Sequence, residues 1–195
     1  KGDFFALFKS KDKAVKYISC ILIGLPIWFM VGVPVALSQD VFAEELGISG
    51  ILNGTAVMYA YIGLSFGDLL SGILSQVLKS RKIVVYIYLI FTLILTIIFL
   101  FFMKGISLNT YYLMCFLLGT GTGYWAIFVT IAAEQFGTNI RSTAANTIPN
   151  FVRGSVNLVI LLFGLFLSLN FNDGISALLV GILFISLSLF SISRL

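Results

Sequence analysis

Residues 83–103 read Ile83-Val84-Val85-Tyr86-Ile87-Tyr88-Leu89-Ile90-Phe91-Thr92-Leu93-Ile94-Leu95-Thr96-Ile97-Ile98-Phe99-Leu100-Phe101-Phe102-Met103. The run holds no charge, and Thr92 and Thr96 are the polar groups of its interior. As a helix it crosses a hydrocarbon core of about 30 Å, and it is too long for the roughly ten-residue strands of a membrane barrel. Lipid offers backbone groups no hydrogen bonds, so an open segment there must be helical. Five further runs of comparable length lie around it, at 14–37, 51–78, 108–133, 147–170 and 174–193. The expected fold is an all-α membrane protein with six transmembrane helices over residues 14–195, preceded by an amphipathic lead-in at 1–13.

Composition excludes the soluble alternatives. With 59% hydrophobic and 10% charged residues and a mean hydropathy of +1.08, the chain lacks the polar surface to cover a water-soluble globule of its size. The net charge of +4 arises from cations in short loops, where topology and anionic headgroups account for them, so no nucleic-acid partner is expected. Cys20 and Cys115 both fall inside predicted spans and offer neither a disulfide framework nor a metal cluster.

Six spans place both ends on one face. Lys1, Lys9, Lys11, Lys13, Lys16, Lys79, Arg81, Lys82, Arg141, Arg153 and Arg194 share that face, and Lys104 lies opposite. Positive loops stay inside, so both ends are expected in the cytoplasm, with a bacterial inner (plasma) membrane as the location. The lead-in has no signal-peptide pattern and begins at Lys1, as a chain continuing from a preceding half would. Its phenylalanines suit the membrane surface and its lysines water.

The third span is apolar enough to meet lipid all round, and the sixth resembles it but carries serines that can back-bond to the preceding turn. Spans one, two, four and five hold the prolines, most glycines and most amides, and are expected to face one another or a water-filled cavity. Cys20-Ile21-Leu22-Ile23-Gly24 leads to Trp28 in span one, and Cys115-Phe116-Leu117-Leu118-Gly119 leads to Trp125 in span four. Copies three spans apart run in opposite directions, which is the arrangement of an inverted 3+3 repeat.

Two loops carry a resemblance to a known family. Gly72-Ile73-Leu74-Ser75-Gln76-Val77-Leu78-Lys79-Ser80-Arg81-Lys82 follows span two, and Glu134-Gln135-Phe136-Gly137-Thr138-Asn139-Ile140-Arg141 follows span four. The first resembles the loop signature of the major facilitator superfamily, with Gln76 where the family's better-preserved copy has an aspartate. The second resembles the Glu-x₆-Arg element of the same family. The resemblance implies the C-terminal six-helix half of a secondary transporter, with an N-terminal six-helix half as partner. It also implies an ion-pair gating network drawn from Asp68, Arg81, Lys82, Glu134 and Arg141; solvated loop charges are the plainer account of the same residues.

Other polar residues admit two readings each. Asp68 shares a helical stripe with Ser65, Ser71, Gly72 and Ser75, and is either an ion-pair or helix-end residue or a coupling site for protons or substrate. Arg153, after Pro149, either snorkels to headgroups from the first turns of span five or binds an anionic solute. Gly119-Thr120-Gly121-Thr122-Gly123-Tyr124-Trp125 lacks the Lys-Ser/Thr ending of a phosphate loop and lies within one span, so it is expected to pack helices closely and leave room for solute. Tyr124, Trp125, Trp28 near Pro26 and Pro34, Ser65 and Asn157 are the candidate cavity residues, with packing as the alternative for each. Asn53-Gly54-Thr55 matches a glycosylation sequon by chance.

The expected function is therefore that of a carrier moving a small polar or amphipathic solute by alternating access, with the bilayer and the solute as partners and protons as the candidate coupling ion. A channel or scaffold of six-span protomers is the rival. No histidine occurs and no Ser/Lys or paired-acid constellation is visible, so no enzyme, cofactor or metal is expected.

Overall fold

The computed structural model describes residues 4–195, so Lys1 lies outside the described residues. Among these every regular element is helical, and six helical stretches are long and apolar enough to cross a membrane. The chain is an integral membrane protein by this architecture.

The first span begins with α1 (Lys11–Met30), where the Ser10 hydroxyl accepts from the Lys13 N–H at the N-cap. A π-helical stretch at Val31–Val35 carries it past Pro34, and a second at Ser38–Phe42 leads into α2 (Ala43–Leu46). Such widened turns absorb a residue that cannot keep the regular ladder, which Pro34 cannot. Gly47, in the left-handed region at φ 66°, ends α2. The second span is α3 (Asn53–Val77) and the third α4 (Arg81–Phe102). Span four is two helices, α5 (Leu108–Gly121) and α6 (Trp125–Glu134). Span five is likewise α7 (Thr138–Gly154) followed by α8 (Val156–Ser168), and span six is α9 (Asp173–Arg194).

The chain alternates between two ends, each with its own apolar cluster. One gathers Leu7, Tyr17, Val84, Phe136 and Ile192 near the termini; the other gathers Phe42, Met103, Leu46 and Phe163 at the opposite end. On the terminal side Phe4 packs edge-on against Tyr17 and stacks with Phe151, tying the lead-in to spans one and five. Phe5 stays 76% exposed. At the opposite end Glu45 has its carboxyl raised above its ordinary value by burial and by nearby Asp173, partly offset by the Gly174 N–H and Lys104.

Burial separates the spans by role. In the most apolar stretches of spans one and four, 72% and 67% of residues are buried, against 22% and 17% in spans two and five. Spans one and four are the centre; two packs on four, and five on one. Spans three and six differ from the lipid-surrounded reading: they pack on each other, and each buries one face, Val85, Leu89, Thr92 and Thr96 among the residues on α4. The helix of span five starts at Thr138, well before residue 147, because Thr138–Asn146 is a polar helical stretch that a hydrophobic scan reads as loop.

Spans two and four meet backbone to backbone. A Cβ on Gly63 would overlap the Phe116 carbonyl, and one on Gly119 the Ala60 carbonyl; Gly67 and Gly123 oppose each other in the same way. Small residues four apart let helices approach this closely in lipid, where van der Waals contact replaces the hydrophobic drive.

Candidate functional site

The fourth span breaks at Thr122-Gly123-Tyr124, inside the glycine-threonine run that the sequence reads as one continuous helix. A broken helix within a membrane must find partners for its freed backbone groups. Here each side is satisfied by a different span. The Gly121 carbonyl accepts from the Thr92 hydroxyl of α4 at 2.7 Å, and the Thr122 hydroxyl returns to the Gly119 carbonyl at 3.0 Å. On the other side the N–H groups of Trp125 and Ala126, opening α6, turn to the carboxylate of Asp68 in α3, with Ala126 N at 3.1 Å. Asp68 thus caps a helix of another span, and its negative charge meets the positive end of the α6 dipole.

Span one is handled similarly. Pro26 has no N–H for the Leu22 carbonyl, and the Ser188 hydroxyl of α9 donates to both the Leu22 and Ile23 carbonyls at 3.0 Å. Tyr124 also donates to the Ile23 carbonyl, at 3.0 Å, and is fully buried with its ring edge-on to Tyr88. Tyr124 is consequently a packing residue that joins spans one, three and four, which corrects its reading as a cavity wall. Its neighbour Trp125 borders the cavity instead.

Beyond the break lies a cavity of about 340 Å³. Ile27, Trp28 and Val31 of span one form one wall, Tyr61 and Leu64 of α3 a second. Trp125 and Arg153 complete it from spans four and five. The two indoles meet edge to face with centroids 6.5 Å apart, and the Arg153 guanidinium lies over the Trp125 ring, 5.2 Å from its centroid. Arg153 falls at the middle of the α7–α8 pair, beside the Gly154–Ser155 interruption, where it is exposed and borders the cavity. Trp28 Nε1 is buried with no acceptor.

Of the candidate cavity residues, Trp28 and Trp125 line this space. Ser65 donates to the Tyr61 carbonyl of its own helix, and Asn157 is exposed on α8, outside the cavity lining. Tyr61 and Leu64 went unread in the sequence, although Tyr61, Leu64 and Asp68 fall on one stripe of α3 at helical spacing.

The charged loops hold a separate arrangement near the termini. Arg81, opening α4, forms an ion pair and hydrogen bonds with both carboxylate oxygens of Glu134 at the end of α6. The pair is partly exposed, and Lys82 borders the same hollow as Gln76 and Gln135. Arg141 is not joined to it; its Nε donates to the Phe136 carbonyl at 3.3 Å. Asp68 stands apart from this network, engaged at the helix break. Asn53, in the sequon, accepts from the Gln39 N–H at 2.6 Å and donates to Asp40 at 2.7 Å. Among the described residues no three His, Cys, Asp or Glu side chains gather as a metal site requires.

Comparison of the chain with models of known protein families, with curated proteins and with solved structures finds no match.

Proposed function

We propose that this chain is the C-terminal half of a secondary transporter of the major facilitator type, moving a small amphipathic solute by rocking against an N-terminal half. The carrying observation is the cavity itself. It draws walls from spans one, two, four and five, and its lining combines apolar and aromatic groups with one cation. The sparsely buried second and fifth spans leave an extended apolar surface, which is where a second half would close the route.

Several features support this reading. The proposed inverted repeat is supported by the neighbour relations: exchanging the first three spans with the last three carries the second–fourth contact onto the fifth–first, and the first–sixth onto the fourth–third. Trp28 and Trp125, each a few residues beyond one of the two resembling Cys-x₃-Gly segments, meet at the cavity. Discontinuous helices at mid-span are a recurring feature of transporter sites. The Arg81–Glu134 pair suits a cytoplasmic gate, since an exposed pair contributes only about 0–1 kcal/mol and can be made and broken between two states. Asp68 is the acid deepest within a span among the described residues, and its protonation would loosen the α6 terminus that carries Trp125. Protons are therefore the candidate coupling ion.

Counterflow tests the carrier reading. The complete polypeptide in proteoliposomes preloaded with unlabelled solute should accumulate labelled solute transiently, and Arg81→Glu should slow it, with recovery in the Arg81→Glu/Glu134→Arg exchange. Flux linear in solute with single-channel currents would refute a carrier and favour a pore built from six-span protomers.

A further inference from the structure

We infer that Arg153, held on Trp125, is the recognition group for an organic monocarboxylate whose body is apolar, bound in the cavity between Trp28, Tyr61 and Leu64. This deepens, and rests on, the transporter reading of the same cavity. A guanidinium at the middle of a span carries an insertion cost of about 2.5–3.5 kcal/mol and ordinarily has a partner. Among the described residues Arg153 meets neither a carboxylate nor a hydrogen-bond acceptor, and its contact is the indole face. No acidic side chain lines the cavity. Asp68, one turn beyond Leu64 on α3, is committed to the Ala126 N–H and the opening of α6. The site is thus one fixed positive charge without its counter-ion.

Geometry and charge then narrow the ligand. The Arg153 guanidinium carbon lies 5.2 Å from the Trp125 ring centroid, and its planar N–H fork remains free to donate two-pronged to a carboxylate. No second Lys or Arg lines the space, which matches a single negative charge better than the two of a phosphate monoester. The rest of the lining is Ile27, Val31, Leu64, Tyr61 and the two indoles, which solvate a hydrocarbon or ring body and offer the Tyr61 hydroxyl as their one side-chain acceptor, too few for a polyhydroxylated solute. A volume of about 340 Å³ lies at the small end of the roughly 300–1,000 Å³ of ligand pockets.

Equilibrium binding of radiolabelled cyclohexanecarboxylate to the complete protein in nanodiscs tests this without any flux. Saturable binding is expected, displaced by unlabelled acid and not by cyclohexanecarboxamide at equal concentration. Arg153→Gln should weaken binding about ten- to a hundredfold, as loss of charge-assisted hydrogen bonds does; Arg153→Lys should recover only part, because an ammonium keeps the charge and loses the fork. Equal displacement by acid and amide in the native protein overturns the inference, and so does native affinity in Arg153→Gln. The native comparison holds even if a variant fails to fold. Carboxylate binding with no counterflow would sink the transporter reading and leave the site; counterflow of other solutes with no carboxylate binding would do the reverse.

Discussion

At the scale of single residues, Asp68 shows how one side chain acts on two elements at once. It sits on α3 but its carboxylate accepts from the Ala126 N–H, so α6 owes its start to a residue of another span. Capping oxygens are worth about 0.5–2 kcal/mol, and a charge at a partly buried helix end adds up to about 2. Asp68→Ala removes acceptor and charge together and is expected to lower thermal stability in detergent, with Asp68→Asn, which keeps an oxygen in place, falling between variant and native. Equal unfolding midpoints for Asp68→Ala and the native protein would show that the cap contributes nothing. This role was legible only in outline: the sequence offers a helix-end function for Asp68, yet the helix end in question arises from a break that no local pattern announces. Glycine and threonine within an apolar window read as continuous helix, and the interruption at Thr122–Tyr124 depends on Thr92 and Asp68 arriving from elsewhere to satisfy it.

At the scale of elements, the hydrophobic runs locate the spans because lipid leaves the backbone one open solution. They fail where a helix leaves the apolar region. Thr138–Asn146 is helical through amphipathic contact with the terminal end, and missing it shifts Arg153 from mid-span to the headgroups. Orientation within a span is also beyond hydropathy: Tyr124 and Trp125 are neighbours in sequence, yet the first is buried in the core and the second borders the cavity. The packing of α3 on α5 is more legible, since Gly119 and Gly123 stand four apart and find Ala60 and Gly67 opposite. A methyl added at Gly119 meets backbone, which cannot rotate away, and overpacking of this kind costs about 1–3 kcal/mol. Gly119→Ala should therefore destabilise the protein by that amount, measured by thermal unfolding in detergent, and Gly164→Ala, where nothing lies within 4 Å, should not. Similar effects from both would mean that spans two and four are not held at this distance.

At the scale of the whole molecule, two well-buried central spans carry two sparsely buried ones, and the cavity lies where all four converge. The two ends are built differently: an exposed Arg81–Glu134 pair joins spans near the termini, whereas at the opposite end α2 packs into the loop before α5 through the Gly105 N–H and the Leu46 carbonyl. In the proposed alternating access, the weak, salt-screened contact at one end and the π-helical interruption around Pro34 toward the other are the places where the molecule would open to each side in turn. Cys20 and Cys115 are buried, so a single introduced thiol at the cavity rim can be followed against a quiet background. Labelling of Tyr61→Cys in the complete protein by a membrane-impermeant thiol reagent, added to one side of the membrane or the other, tests alternating access most directly. The account predicts that reactivity from the two sides changes in opposition when the solute gradient is reversed. Simultaneous, unchanging reactivity from both sides would contradict it.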